Sequence, residues 1–116
     1  MKPENGWKGR LMECNSFFRS FGPEEAEEVE KGVRVHSLSL ESHQVRRMVF
    51  DPGALIPNHR HPEDVVTLIL EGRMEMTVGC ETRTIGPGEV FLVPATADHS
   101  GRILGEQVVA VSFSRK

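Results

Sequence analysis

The sequence predicts an all-β fold, a sandwich or barrel built from about eight short strands. In several segments apolar and polar residues alternate, as Met74, Met76 and Val78 do with the residues between them. Successive side chains of a strand point to opposite faces, so this period of two is typical of half-buried strands. Turn signals separate the segments, among them Asp51-Pro52-Gly53 and Gly86-Pro87-Gly88. Almost no stretch has the longer period of a helix.

The predicted strands begin at Val33, where the period becomes two. They cover residues 33–40, 44–50, 54–61, 65–70, 73–78, 82–85, 90–93 and 107–114. Pro62 is expected to close the third strand, and Glu71-Gly72 is expected to turn the chain between the fourth strand and the fifth. We therefore divide the chain into an N-terminal arm with an acidic loop, residues 1–32, and a barrel, residues 33–116.

The N-terminal arm holds a concentration of aromatic residues: Trp7, Phe17, Phe18 and Phe21. We expect them to pack over the outside of a sheet or against a second subunit. The acidic segment that follows, residues 23–31, begins with proline and is rich in glutamate, a pattern that suits one short helical turn or a solvated loop.

The fourth predicted strand, residues 65–70, is apolar at every position except Thr67. Strands with this composition are buried on both faces. In a small antiparallel protein the outer face of such a strand needs a cover, either the aromatic arm or a second copy of the chain. We expect a homodimer, the commonest closed assembly.

Length and composition narrow the class of protein. A chain of 116 residues forms one domain with a single core, and its formal net charge of −3 without a basic stripe argues against nucleic acid as a partner. No apolar run approaches the ~20 residues of a membrane span. The N-terminus lacks an apolar signal core, so we expect a cytoplasmic protein, with Cys14 and Cys80 as free thiols.

Three histidines suggest a metal site. His59 and His61 stand one residue apart, so on a strand both would point to the same face, and His99 follows a second turn-and-strand segment. Neutral imidazole suits Zn, Cu, Fe and Ni, so the histidine pair alone does not name the metal.

The spacing of these residues resembles the two motifs of the cupin family. The first motif has Gly, five residues, His-x-His, three or four residues, Glu, six residues and Gly; Gly53, His59, His61 and Gly72 match it. The second has Gly, five residues, Pro-x-Gly, two residues, His, three residues and Asn. Gly88, Pro94 and His99 match, whereas Thr96 replaces the last glycine and Ile103 the asparagine. The resemblance covers residues ~33–114 and implies a double-stranded β-helix, or jelly-roll barrel.

The resemblance also implies a ligand set. Cupins commonly hold one divalent metal ion (Fe, Mn, Ni or Zn) with three histidines and the motif glutamate. Here His59, His61 and His99 correspond to the histidine ligands, but Val65 and Val66 occupy both possible glutamate positions. The chain thus resembles the three-histidine minority of the family, which includes Fe(II) dioxygenases. It also looks like small cupins that act on unsaturated uronates, although those keep a polar fourth ligand at the position of Val65.

Three neutral ligands leave the full +2 charge on the ion, so the site is expected to prefer an anionic oxygen ligand and to hold metal less tightly. Glu63 and Asp64 are the nearest carboxylates, with a role expected at the pocket mouth or behind the ligands rather than on the ion. We expect Arg46, Met48 and Thr67 to contact a small polar or carboxylated substrate. Arg46 shares strand parity with Met48 and Phe50, so it points into the barrel if they do, and Thr67 shares the parity of position 65. The alternatives are a solvated Arg46 on an edge strand and a Thr67 that bonds to nearby backbone. The function implied is a small metal-dependent enzyme, dioxygenase-like or isomerase-like; the alternative is a cupin that binds a ligand or metal without turnover, as a sensor does.

Overall fold

The computed structural model describes residues 17–21 and 26–116, which form eight antiparallel strands. The strands are β1 (Glu27–Glu30), β2 (Val33–Ser39), β3 (His43–Phe50), β4 (Leu55–His59), β5 (Val65–Val78), β6 (Glu81–Ile85), β7 (Val90–Val93) and β8 (His99–Arg115). The described residues include no helix, as the period of two predicts.

The long strands β5 and β8 pair along almost their whole length and belong to both parts of the barrel. The first part of β5 pairs with β7 and with the end of β8, beyond which lie β3, β2 and β1. The second part of β5 pairs with β6 and with the start of β8, whose other neighbour is β4. The two parts enclose one interior, so the fold is the expected jelly-roll barrel.

The core is formed where the inner faces of the two parts meet. Ile69, Val108 and Ala110 are fully buried on the central strands, and Met74 is 1% exposed. Around them pack apolar residues from three other strands, from the turn before β4 and from β8 itself: Val33, Phe50, Ile85, Ala54 and Ile103. These contacts fix the two parts to each other and so position the residues on their inner faces.

The acidic segment differs from the prediction. Residues 27–30 form neither a helical turn nor a solvated loop; they make strand β1, which joins β2 through a two-residue connection, Lys31-Gly32. Gly32 has a φ of 78°, which glycine adopts without steric cost. All four side chains of β1 are exposed, so their charges stay in water while the backbone gains a ladder. The division of the chain at residue 32 stays a prediction.

The expected turn at Glu71-Gly72 is also wrong, because β5 runs through both residues. The register with β8 shifts on either side of Glu71, so the chain makes a bulge there rather than a reversal. Gly72 has a φ of 81°, and a Cβ at this position would overlap the carbonyl oxygen of Gln107. The motif glycine therefore permits a close approach of two backbones inside one continuous strand.

The prediction that residues 65–70 are buried on both faces is correct for the inner face only. Thr67 and Ile69 are buried, whereas Val66 and Leu70 are 38% and 46% exposed among the described residues. They belong to an outer apolar face on the side of the sheet away from the core, formed by Val66, Leu68, Leu70, Val90, Leu92, Val111 and Phe113.

Little of the N-terminal arm falls within the described residues. Phe21 packs against the ring of His36 on β2, with 6.1 Å between the ring centroids, while Phe17 and Phe18 are exposed. Trp7 and Cys14 lie outside the described residues; Cys80 is an exposed free thiol. The structure shows no helix that could cross a bilayer in the part of the chain it describes. The cytoplasmic location stays a prediction.

Candidate metal centre

Three histidines from separate places in the chain converge on one wall of the barrel interior. His59 is the last residue of β4 and His99 the first residue of β8, and the two are register partners. Their ring centroids lie 4.0 Å apart, and the ring of His61 lies 4.7 Å from His59 and 4.9 Å from His99. One ligand atom from each residue lies within 4.8 Å of the others.

Backbone carbonyls orient two of the rings. Nδ1 of His59 lies 2.8 Å from the carbonyl oxygen of Pro57, and Nδ1 of His99 lies 3.2 Å from that of Ala97. Both contacts place the ring proton on Nδ1, where it is donated to the carbonyl, and leave the lone pair of Nε2 for another partner. This arrangement behind a ring is typical of histidines that bind metals.

A tight turn after β7 holds His61, which lies beyond the end of β4 rather than inside the strand as predicted. The backbone amide of Ala97 donates to the carbonyl of Pro94, and the amide of Thr96 donates to the carbonyl of His61 at 2.7 Å. Thr96 stands where the second motif has glycine, and its φ of 65° is the only positive value among the described non-glycine residues. The motif glycine is thus explained by the left-handed position of this turn.

Burial favours the neutral form of two of the three rings, because it lowers the pKa of His61 and of His99. Burial is the largest cause that lowers the pKa of His61, followed by the charges of His59 and His99. Arg46 lowers the pKa of His61 further, and Glu63 raises it. Burial also lowers the pKa of His99, which is 5% exposed. Unprotonated imidazoles are the form that binds metal, so the donor set fits a divalent ion.

No carboxylate completes the set within the part of the chain that the structure describes. Val65 faces the cavity from the position of the family's glutamate. Asp64 accepts a hydrogen bond of 2.7 Å from the amide of Ala95 and so supports the turn after β7. Glu63 lines the cavity, but it is not among the residues whose ligand atoms cluster.

A cavity of about 720 Å³ extends from the histidines between the two parts of the barrel. Arg46, Met48 and Thr67, which the sequence pointed to as substrate contacts, all line it. Sequence reasoning missed Ser112, which lines the cavity from β8, as well as Glu27 and Glu30 from β1. The alternation of Ser112 and Ser114 with Val111 and Phe113 could have indicated Ser112; nothing in the sequence signalled β1.

Solved structures share this architecture. A cupin described as RmlC-like from Shewanella frigidimarina superposes with a TM-score of 0.75 and 22% identity, over 86% of this chain and 91% of its own. KdgF from a Halomonas species gives 0.71 and 24% identity, over 80% of this chain and 87% of that one. The DMSP lyase DddQ from Ruegeria pomeroyi gives 0.61 and 26% identity, over 65% of this chain and 39% of that one.

Sequence comparison agrees with the structural one. The uncharacterized protein SCO3923 of Streptomyces coelicolor is 31% identical over 84 residues, which are 72% of this chain and 80% of the relative. The profile of the Cupin domain matches residues 46–113, more than half of the chain and including both motifs with their three histidines. The chain belongs to the cupin family.

Proposed function

We propose that this cupin binds one divalent metal ion through His59, His61 and His99 and acts on a small polar or carboxylated molecule. The convergence of the three rings, two of them with Nε2 left free by a backbone contact, is the observation that carries the proposal. When bound, such an ion supplies a Lewis acid and a template for oxygen ligands. Fe, Mn, Ni and Zn are the candidate metals.

The wall around the histidines supports a preference for anionic ligands. Val65 brings no charge to the position of the motif glutamate, so three neutral imidazoles leave the ion's charge uncompensated. Arg46, Met48 and Thr67 are proposed as substrate contacts, since all three side chains line the same cavity. Arg46 adds a second positive charge, and its influence on the pKa of His61 indicates that this charge acts across the cavity.

Metal analysis tests the metal site. The purified wild-type chain, reconstituted with Zn²⁺ or Fe²⁺ and then desalted, should retain close to one ion per chain, and His61→Ala should retain very little. His43→Ala is the matched control, since His43 lies at the exposed start of β3, far along the sequence from the cluster. Equal retention in all three proteins would contradict the site.

A second measurement separates catalysis from binding. Oxygen consumption and product formation are followed for the metal-loaded protein with a panel of small hydroxy, keto and dicarboxylic acids. Turnover that disappears in His61→Ala supports an enzyme. Saturable ligand binding without turnover would instead favour the sensor-like alternative.

We also propose that the protein is a homodimer, joined through the outer apolar face. Five of the seven side chains of this face are more than a third exposed, and none of the seven is charged. Contiguous exposed apolar surface is uncommon on monomers and marks interaction sites. A second copy presents the same uncharged surface, which suits an interface with twofold symmetry.

A further inference from the structure

Three polar side chains form a row on the cavity wall. They lie on the part of the barrel that contains β3 and the end of β8, whereas His59 and His99 lie on the other part. Arg46 on β3 is the register partner of Ser112 on β8, and Ser112 is the register partner of Thr67 on β5. Side chains of register partners lie on the same face, with Cβ atoms about 4.5–5.5 Å apart. All three side chains line the cavity, and we call them the polar row.

The hydroxyls of the polar row face the cavity without a protein partner. Thr67 and Ser112 are each 4% exposed, and neither hydroxyl forms a hydrogen bond with any residue the structure describes. Among the described residues, Oε1 of Gln44 is the only side-chain oxygen or nitrogen that is wholly buried without a partner, so these two hydroxyls open onto the cavity. Two donors side by side on a cavity wall can both form hydrogen bonds with a molecule in the cavity.

Arg46 is the charged member of the row and is also unpaired. Its guanidinium forms no ion pair or side-chain hydrogen bond within residues 17–21 and 26–116, although it is half-buried. The carboxylates of Glu27, Glu30 and Glu63 line the same cavity, and none pairs with it. Five N–H groups in a planar fork, with two hydroxyls beside them, offer donors in the geometry that a carboxylate accepts.

Most of the other residues that line the cavity are apolar, although Glu27, Glu30, Ser37 and Glu63 line it as well. Met48, Val65 and Phe91 line the cavity along with both groups. The cavity volume of about 720 Å³ lies in the range of small-molecule sites, roughly 300–1,000 Å³. A fitting ligand therefore carries polar groups at two ends and a short carbon skeleton between them.

We propose that the polar row of Arg46, Ser112 and Thr67 is a carboxylate-binding subsite distinct from the histidine cluster. Together with the proposed metal site, this subsite selects small acids with two oxygen-bearing ends, one for the metal ion and a carboxylate for Arg46. This second half of the inference rests on the proposed metal function. Dicarboxylates and acids with a remote hydroxyl or keto group belong to this class.

The first test uses the metal-free full chain, so that its result does not depend on the metal site. Acetate is titrated into the EDTA-treated, ¹⁵N-labelled protein, and amide chemical shifts are followed. Saturable shifts should cluster around the polar row, and Arg46→Met should weaken acetate binding on the order of 10- to 100-fold, the equivalent of a charged hydrogen bond. Arg47→Met is the matched control, since Arg47 is the next residue of β3 and points away from the cavity; its affinity should equal that of the wild type.

Variants of the two hydroxyl residues and a conservative variant of Arg46 test the contribution of each member of the polar row to acetate binding. Thr67→Val and Ser112→Ala should each weaken acetate binding about fivefold, as expected for one neutral hydrogen bond. Arg46→Lys keeps the charge but loses the planar fork, so its affinity should fall between those of the wild type and Arg46→Met. Should Arg46→Met fail to fold, these three variants decide the question; unchanged affinity in all of them overturns the subsite.

The second test separates the subsite from the proposed metal function. The Zn²⁺-loaded wild type should bind succinate at least tenfold more tightly than acetate in calorimetry, and Arg46→Met should lose this advantage while its zinc content stays unchanged. Zinc retention with equal succinate affinity in both proteins would overturn the subsite and leave the metal site standing. Absence of zinc from the wild type would overturn the metal function, and the acetate titration would still decide the subsite.

Discussion

At position 65 a single residue sets the electrostatics of the candidate site. Valine stands where the family motif has glutamate, and its side chain faces the cavity that contains the three histidines. An acidic ligand would offset part of the metal charge and occupy one coordination position. With valine, a bound ion would keep both its charge and that position for an incoming ligand, and the protein would hold the ion less tightly.

We therefore expect Val65→Glu to tighten Zn²⁺ binding on the order of tenfold and to weaken succinate binding, because the new carboxylate competes with the anion for the same charge. Val65→Leu changes the size of the side chain without adding a donor and serves as the control. Competition with a chromophoric chelator measures the metal affinity, and calorimetry measures the anion. Zinc affinity in Val65→Glu no higher than in Val65→Leu would contradict this explanation of the pocket.

Thr96 is a second residue that departs from the family motif, and its backbone shows what the departure costs. A non-glycine residue in the left-handed region is destabilised by roughly 1–2 kcal/mol. Replacing the residue by glycine removes this strain, but glycine also gives the unfolded chain more freedom, which lowers the free energy of unfolding by about 0.4–1 kcal/mol. Thr96→Gly should therefore raise the free energy of unfolding by about 0.5–1 kcal/mol. Urea denaturation measures the free energy of unfolding. The control is Thr84→Gly on the exposed strand β6, which should lower the free energy of unfolding. A loss of stability in both variants would refute the interpretation of the turn.

At the scale of the elements, the bulge in β5 decides whether the two parts of the barrel can share a strand. Gly72→Ala places a Cβ against the carbonyl oxygen of Gln107 and 2.9 Å from Cγ2 of Val108, in a left-handed position as well. We expect a loss of roughly 3 kcal/mol or more in the free energy of unfolding. Gly105 has a similar φ of 77° and open space around it, so Gly105→Ala should cost only the backbone term, about 1–2 kcal/mol. Equal losses in the two variants would show that the close approach of β5 and β8 contributes nothing.

The strands were largely predictable from local patterns, and the exceptions depend on pairing with another strand. The last strand, predicted over 107–114, begins at His99 where it pairs with β4 and β5. The segments 33–40, 44–50 and 90–93 were predicted within one residue at either end, because alternation and flanking turn residues act locally. The predictions of a turn at Gly72 and of a loop or helical turn before Val33 were wrong. A glycine with a positive φ also fits a bulge, and an acidic segment also fits an edge strand, when a neighbouring strand supplies the hydrogen bonds. For the bulge that neighbour is β8, from a distant part of the sequence, whereas β1 pairs with β2, the strand that follows it directly.

The candidate site also has a part that could be predicted from local spacing and a part that depends on strand pairing. The metal cluster was predictable, because the motif spacing places His59, His61 and His99 on elements that the fold brings together. Ser112 was missed, because only the pairing of β8 with β3 and β5 reveals that it lies between Arg46 and Thr67. A metal site can therefore be inferred from spacing alone, whereas a ligand subsite spread over three strands requires the register.

At the scale of the whole molecule, the same sheet has an inner face that lines the cavity and an apolar outer face. Along β5 the residues alternate between the two, with Thr67 on the cavity and Val66 on the outside. An assembly through the outer apolar face would bury that surface without blocking the cavity. The two surfaces can thus be altered independently, which makes the dimer separately testable.

We predict that Leu92→Glu converts the dimer into a monomer and leaves the zinc content unchanged. Leu92 is 53% exposed within the outer apolar face, beside Val66, and a carboxylate there would be buried against an apolar partner at a cost of several kcal/mol. Leu55→Glu is the matched control, because Leu55 is 64% exposed on β4, outside this face; it should remain dimeric. Sedimentation velocity at micromolar concentration distinguishes the states. A monomeric wild type would refute the dimer, and a dimeric Leu92→Glu variant would move the interface to another surface.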